Sequence, residues 1–140
     1  MKRLVVDASA ILKAFFPDEE GQVASQALIG DWVKDRIEII APSLLFLEVT
    51  NAALVALRRE RISKEKAYEI IQAVKGLSIP VWDSPDIEEV FKLAIKFSLS
   101  AYDATYVALA AKPFILITGD KKLYQAVKTE GKVMWVGDYK

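Results

Sequence analysis

The sequence predicts an α/β fold: three layers, α/β/α, around a central, mostly parallel sheet of about five strands. Three observations predict it. Short β-branched or apolar runs recur along the chain, among them Leu4-Val5-Val6, Ile39-Ile40 and Ile115-Leu116-Ile117. Segments with helical spacing separate them, and strands joined through helices pair in parallel. At 140 residues and 53% apolar content, the chain reads as one domain, 1–140, large enough to bury a core.

Taken in order, the first strand covers Arg3–Val6, and a helix over 8–16 stops before Pro17. A second helix follows over 20–34. Residues 38–41 form the next strand. Pro42 suits the first turn of a long helix running to about Arg59. Ser63 caps a helix through Lys75 that ends at Gly76. Residues 78–82 are a weaker strand candidate. Ser84-Pro85 starts a helix through Phe97, and Ser100 starts another through Ala111, before Pro113. A strand over 114–118, a short helix after Asp120 and a strand over 132–136 complete the chain. No internal repeat, low-complexity segment or linker interrupts it.

Composition excludes much chemistry. The chain has no histidine and no cysteine. A Ser-His-Asp triad, a Cys-His pair and a His/Cys zinc site are therefore impossible. No signal-peptide pattern is visible and no apolar run approaches a membrane span, which is compatible with a cytoplasmic protein that does not engage a membrane. Nineteen basic residues balance nineteen acidic ones, so any nucleic-acid contact must use a local patch.

Four carboxylates stand out: Asp7 in LVVDASA, Glu48 in LLFLEVTNAAL, Asp103 in SAYDATYVALA and Asp120 in FILITGDKKL. Converging acids repel, so their pKa values rise or a cation neutralises them. Hard divalent cations such as Mg²⁺ take oxygen ligands and retain water. Asp7 and Asp120 fall at the carboxyl ends of strands, where open parallel sheets bind ligands.

Each acid also has an ordinary reading. Asp7 can cap the helix after it, as can Ser9. Asp103 completes an S-x-x-D capping box with Ser100. Asp120 can cap the last helix, with Thr118 an ordinary strand residue. Glu48 lies in a helix that is apolar almost all round, so it must be paired, protonated or facing a polar cleft. Asn51, three residues on, is expected on the same face. Asp83, Asp86 and Glu88 read as first-turn acids, and Arg58-Arg59-Glu60-Arg61 as a solvated helix end. Tyr102 and Tyr106 read as core or rim aromatics.

In combination, VVDASAILK, PSLLFLEVTNAAL, LSAYDATYVALA and ITGDKKLYQA resemble the PIN-domain ribonucleases, in particular VapC-type toxins of type II toxin–antitoxin systems. The resemblance runs from Leu4 to about Val136 and rests on the order and spacing of all four pieces. It implies that Asp7, Glu48, Asp103 and Asp120 form an acidic metal site, supported by Ser9, Asn51 and Thr118. It further implies Mg²⁺- or Mn²⁺-dependent RNA cleavage, a homodimer and inhibition by a cognate antitoxin. Apolar surface around Phe46, Leu54, Val55, Leu57 and Phe15-Phe16 is expected to serve such partners. The competing expectations are a non-catalytic interaction module on the same fold, a phosphotransferase using Asp7 as nucleophile, and a PIN nuclease for RNA processing.

Overall fold

The computed structural model describes residues 1–83 and 86–140. The expected helix start at Ser84-Pro85 lies outside the described residues. Four strands, β1 (Arg3–Val6), β2 (Glu38–Ile40), β3 (Ile115–Thr118) and β4 (Val133–Trp135), form one sheet in the order β2-β1-β3-β4. Every pairing is parallel, with Leu4 opposite Ile39 on one side and Ile115 on the other.

The fifth expected strand, over 78–82, is reduced to one parallel bridge between Ala41 and Val81. Its two bonds run from Ala41 N–H to the Pro80 carbonyl at 3.1 Å and from Trp82 N–H to the Ala41 carbonyl at 2.9 Å. Pro80 has no N–H to give a ladder, and Ser78 already takes a left-handed turn at φ 51°. The sheet therefore has four strands, not five.

Helices α1 (Ala8–Leu12), α2 (Gln22–Val33), α3 (Leu44–Arg58) and α4 (Lys64–Gly76) precede α5 (Ile87–Phe97), α6 (Ala101–Leu109) and α7 (Lys121–Val127). The expected helix over 8–16 tightens into a 3₁₀ turn at Lys13–Phe15. Several starts are capped as the residue types dictate. Ser63 Oγ accepts from Lys66 N–H at 3.1 Å and Ser100 Oγ from Asp103 N–H at 3.0 Å. Pro42 falls just before α3, whose cap is Ser43. Asp83 is not a first-turn acid of α5. Its carboxylate accepts from Ser43 N–H and Oγ, both at 2.9 Å, and so holds the start of α3 from another segment.

The period-two geometry of the strands sorts the core into two layers. Leu4, Val6, Ile39 and Ile117 face one side, where they pack with Ile11, Leu28, Leu45, Val49 and Ile70 of α1 to α4. Val5, Ile40 and Leu116 face the other, against Tyr106, Ala110, Leu123 and Val127 in and beside α6 and α7. Burying each Leu, Ile or Val stabilises the fold by about 1.5–3 kcal/mol. Helix α5 packs on α6 and leaves Ile87, Phe91 and Ile95 exposed.

From β1 the chain goes outward to β2, then returns to add β3 on the other side of β1. The carboxyl ends of β1 and β3 thus mark the point where the winding reverses, a favoured position for a ligand crevice.

Candidate active site

Asp7 follows β1 directly. Its N–H extends the ladder to the Ile117 carbonyl at 3.4 Å, which sets Asp7 beside Thr118 at the end of β3. Two hydroxyls then grip its carboxylate. Ser9 Oγ donates to Oδ1 at 2.6 Å and Thr118 Oγ1 donates to Oδ2. Each hydroxyl also accepts from a backbone N–H of the β3–α7 turn. Gly119 N–H donates to Ser9 Oγ at 2.8 Å, and Asp120 N–H to Thr118 Oγ1 at 3.0 Å. The β1–α1 and β3–α7 turns are therefore cross-braced through Asp7. Asp7 also caps α1 by accepting from Ala10 N–H at 2.9 Å, so the capping and cleft positions coincide in one residue.

Gly119 is required by proximity. A Cβ there would lie 2.6 Å from Lys13 Cε and 2.8 Å from the Ser9 carbonyl oxygen. Only a glycine lets the two turns approach this closely.

Glu48 and Asp103 reach the same cleft from α3 and α6, and Asp120 completes it as the cap of α7. The cleft has a volume of about 230 Å³, and its lining includes these four acids together with Ser9, Ala52 and Tyr106. Thr118 is fully buried against Asp7. Asn51 is exposed and absent from the lining; Ala52 takes the position expected for it. The bond that a full capping box would make, from the Asp103 carboxylate to Ser100 N–H, is absent among the described residues. Only the half in which Asp103 N–H donates to Ser100 Oγ forms. The Asp103 carboxylate lines the cleft instead.

Tyr106 belongs to this site although its sequence reads as core. Its ring is buried among the α6–α7 layer, while its hydroxyl donates to Glu48 Oε1. The only signal in the sequence was its position three residues after Asp103, on the same helical face.

Burial pushes the Asp7 carboxyl up to about 6, against the opposing pull of Ser9, Thr118 and Ala10; the charge of Glu48 adds a smaller push. Burial also raises Glu48, opposed by the Tyr106 donor and helped by the charge of Asp103. Asp103 is raised by burial first and then by the charge of Asp120. The acids are thus linked in a series of mutual repulsions. A cation placed among them relieves every link at once.

The donor set is all oxygen, which suits a hard divalent ion. Among the described residues, no three acids close up into a cage by themselves. An ion that keeps part of its water shell fits such an open set, as Mg²⁺ does.

Comparison with known proteins identifies the family and the fold. The model of the PIN domain family matches residues 4–128. "Ribonuclease VapC1" of Mycobacterium tuberculosis is 34% identical over 90% of this chain and 92% of its own length. "Ribonuclease VapC3" of Pyrobaculum aerophilum is 32% identical over 79% and 82%. A second relative from that organism, "Exonuclease VapC9", is 28% identical over 85% and 88%. In three dimensions the chain resembles the crystal structure of PAE2754 from Pyrobaculum aerophilum, with a TM-score of 0.67 and 25% identity over 90% of this chain and 86% of that one.

Proposed function

Because the chain belongs to the PIN-domain family, and within it to the VapC type, we propose that it is a divalent-metal-dependent ribonuclease, the toxin of a toxin–antitoxin pair. The observation that carries this reading is the convergence of Asp7, Glu48, Asp103 and Asp120 on one cleft at the sheet's winding reversal. Mg²⁺ or Mn²⁺ is the proposed cofactor. Bound there, such an ion would lower the pKa of a water and stabilise charge on a departing oxygen.

The protein's own part is to hold and aim these groups. Asp7 is fixed by Ser9 and Ala10 at Oδ1 and by Thr118 at Oδ2, which leaves it about one lone pair for an ion, held in one geometry. Tyr106 likewise holds Glu48, at Oε1. Asp103 and the second oxygen of Asp120, whose Oδ1 caps α7, are left to share an ion or orient an attacking water. Water attacks the phosphorus in line with the 3′ oxygen; the P–O3′ bond breaks, the departing oxygen takes a proton, and cleavage leaves a 5′-phosphate and a 3′-hydroxyl. The carboxylates need no imidazole partner, in keeping with a chain that has no histidine.

A cognate antitoxin and a homodimer are the proposed partners, in the cytoplasm. No helix among the described residues is long and apolar enough to cross a membrane. Of the apolar surface expected to serve partners, Phe16 is buried and Phe15 and Phe46 pack on the core. Leu54 is exposed as expected, and further uncovered apolar surface lies at Leu47 on α3 and at Ile87, Phe91 and Ile95 on α5, where a second copy could pack. An arginine from the antitoxin, placed among the acids, would compete with metal.

The test is cleavage of labelled single-stranded RNA by purified protein in Mn²⁺, Mg²⁺ or EDTA, beside Asp103→Asn. Metal-dependent cleavage that disappears in the variant supports the reading. A folded, antitoxin-free protein inert on several RNAs in both metals would favour a non-catalytic interaction module. Labelling the RNA internally and at each end separates endonuclease from exonuclease action, a distinction raised by the relative named as an exonuclease.

A further inference from the structure

A second groove, of about 340 Å³, opens beside the acidic cleft and shares Ser9, Leu12 and Ala52 with it. Its floor is apolar, from Leu12, Phe16, Val55 and Ala56. Its charged lining is three cations, Lys13, Arg59 and Arg61, and one acid, Glu19. Two of these cations are already engaged. Lys13 Nζ lies 3.4 Å from Glu19. Arg61 pairs with Asp18 at 3.5 Å and lies over the Phe16 ring at 4.9 Å. Arg59 makes no ion pair among the described residues.

We propose that this groove is a substrate subsite for the nucleotide next to the attacked phosphodiester, its base lying on the apolar floor and its phosphate held by Arg59. The inference rests on the ribonuclease reading of the adjoining cleft. Three features favour a nucleotide. The groove is continuous with the acids that would hold the metal. It offers apolar lining and a net excess of cations in one groove of about 340 Å³. Its one unpaired cation meets the charge of a phosphate, which a guanidinium binds through paired N–H donors.

Arg58 provides a charge-matched control. It is exposed on the last turn of α3, beside Arg59 in sequence, and does not line the groove. A diffuse attraction to basic residues predicts equal effects from Arg58→Ala and Arg59→Ala. The groove predicts unequal ones.

The experiment measures binding of a fluorescein-labelled, short single-stranded RNA to the full chain by anisotropy, in Ca²⁺ and across a salt series. Steady-state cleavage in Mn²⁺ is measured in parallel. Arg59→Ala is expected to weaken binding about tenfold, as loss of a charged hydrogen bond does. It should raise KM with kcat little changed. It should also reduce the slope of log affinity against log salt by about 0.7, one single-strand phosphate. Arg58→Ala should leave all three near the wild-type values. Removing the base of the nucleotide beside the cut should weaken wild-type binding further.

Equal effects from the two arginines, or none, overturn the subsite while wild-type cleavage leaves the ribonuclease reading standing. If the wild type neither binds nor cleaves RNA, the ribonuclease reading falls and takes the subsite with it. If RNA affinity ignores Arg59 but a co-expressed protein protects the groove amides of α3 from hydrogen exchange, the groove belongs to a protein partner and the proposal is wrong.

Discussion

The hydroxyl of Tyr106 donates to Oε1 of Glu48, joining α6 to α3 across 58 residues of sequence. The ring is anchored in one helical layer, and the carboxylate it steadies belongs to the other. Tyr106→Phe keeps the packing and deletes only the donor. Mn²⁺ affinity measured by calorimetry should fall by about tenfold or more, as when a ligand loses its outer hydrogen bond, with little change in Tm. Unchanged affinity in a folded variant would deny Tyr106 any role in aiming Glu48.

Metal-free stability should rise as the pH is lowered from 7 towards 5. Asp7 has a folded-state pKa of about 6 against 3.8 unfolded, so between these values the folded state binds more protons. Its charge therefore destabilises the fold at pH 7, on the order of 2–3 kcal/mol, and this is relieved as pH falls through 6. Glu48 and Asp103 are raised and act with the same sign. The exposed Glu20 and Glu130 and the half-buried Asp31 have lowered values, so their losses come at lower pH. In thermal melts without metal, Asp7→Asn should equal or exceed wild type at pH 7 and show a flatter profile. A variant that melts well below wild type at pH 7 would contradict the repulsion argument.

Thr118 is buried, donates to Asp7 and accepts from Asp120 N–H. Thr118→Val preserves shape but leaves that N–H and one carboxylate oxygen without partners. Urea unfolding should register a loss of about 1–3 kcal/mol. Thr118→Ser restores the hydroxyl and should recover metal affinity; its failure to do so would shift the importance of Thr118 to its methyl group.

Gly119→Ala should separate the two cross-braced turns and lower both stability and metal affinity. The Lys13 side chain can move away from the new methyl, but the Ser9 carbonyl, 2.8 Å away, cannot readily do so. Adding Lys13→Ala should therefore give little rescue in calorimetry. Full rescue would locate the strain in the lysine alone.

Cleavage should tolerate a 2′-deoxy substitution at the attacked linkage, because water and not the ribose hydroxyl supplies the oxygen. Mass spectrometry of the products should find 5′-phosphate and 3′-hydroxyl ends. Cyclic 2′,3′-phosphate ends would rule out this route.

The layers, the parallel order and the strand-end positions of Asp7 and Asp120 were legible because each depends on local pattern. What failed depended on partners distant in sequence or on fine helical phase. The strand over 78–82 looked continuous until Pro80 limited it to one bridge. Asn51 was placed with Glu48 by i,i+3 spacing. At about 100° per residue, Ala52 is only about 40° from Glu48 around the helix, Asn51 about 60° on the other side, and the cleft takes the former. The roles of Asp83 and Tyr106 lie with Ser43 and Glu48, 40 and 58 residues away, which no window along the chain contains.

The four acids come from four separate elements, and the last, Asp120, lies 113 residues after the first, Asp7. A nascent chain cannot close the cleft until β3 and the turn after it have emerged from the ribosome. A product truncated before Gly119, or clipped between α3 and α6 and allowed to separate, carries only part of the acidic set. Assembly of the cleft thus waits on β3 and the turn after it, and a single backbone cut can disperse the acidic set without damage to any of the four carboxylates.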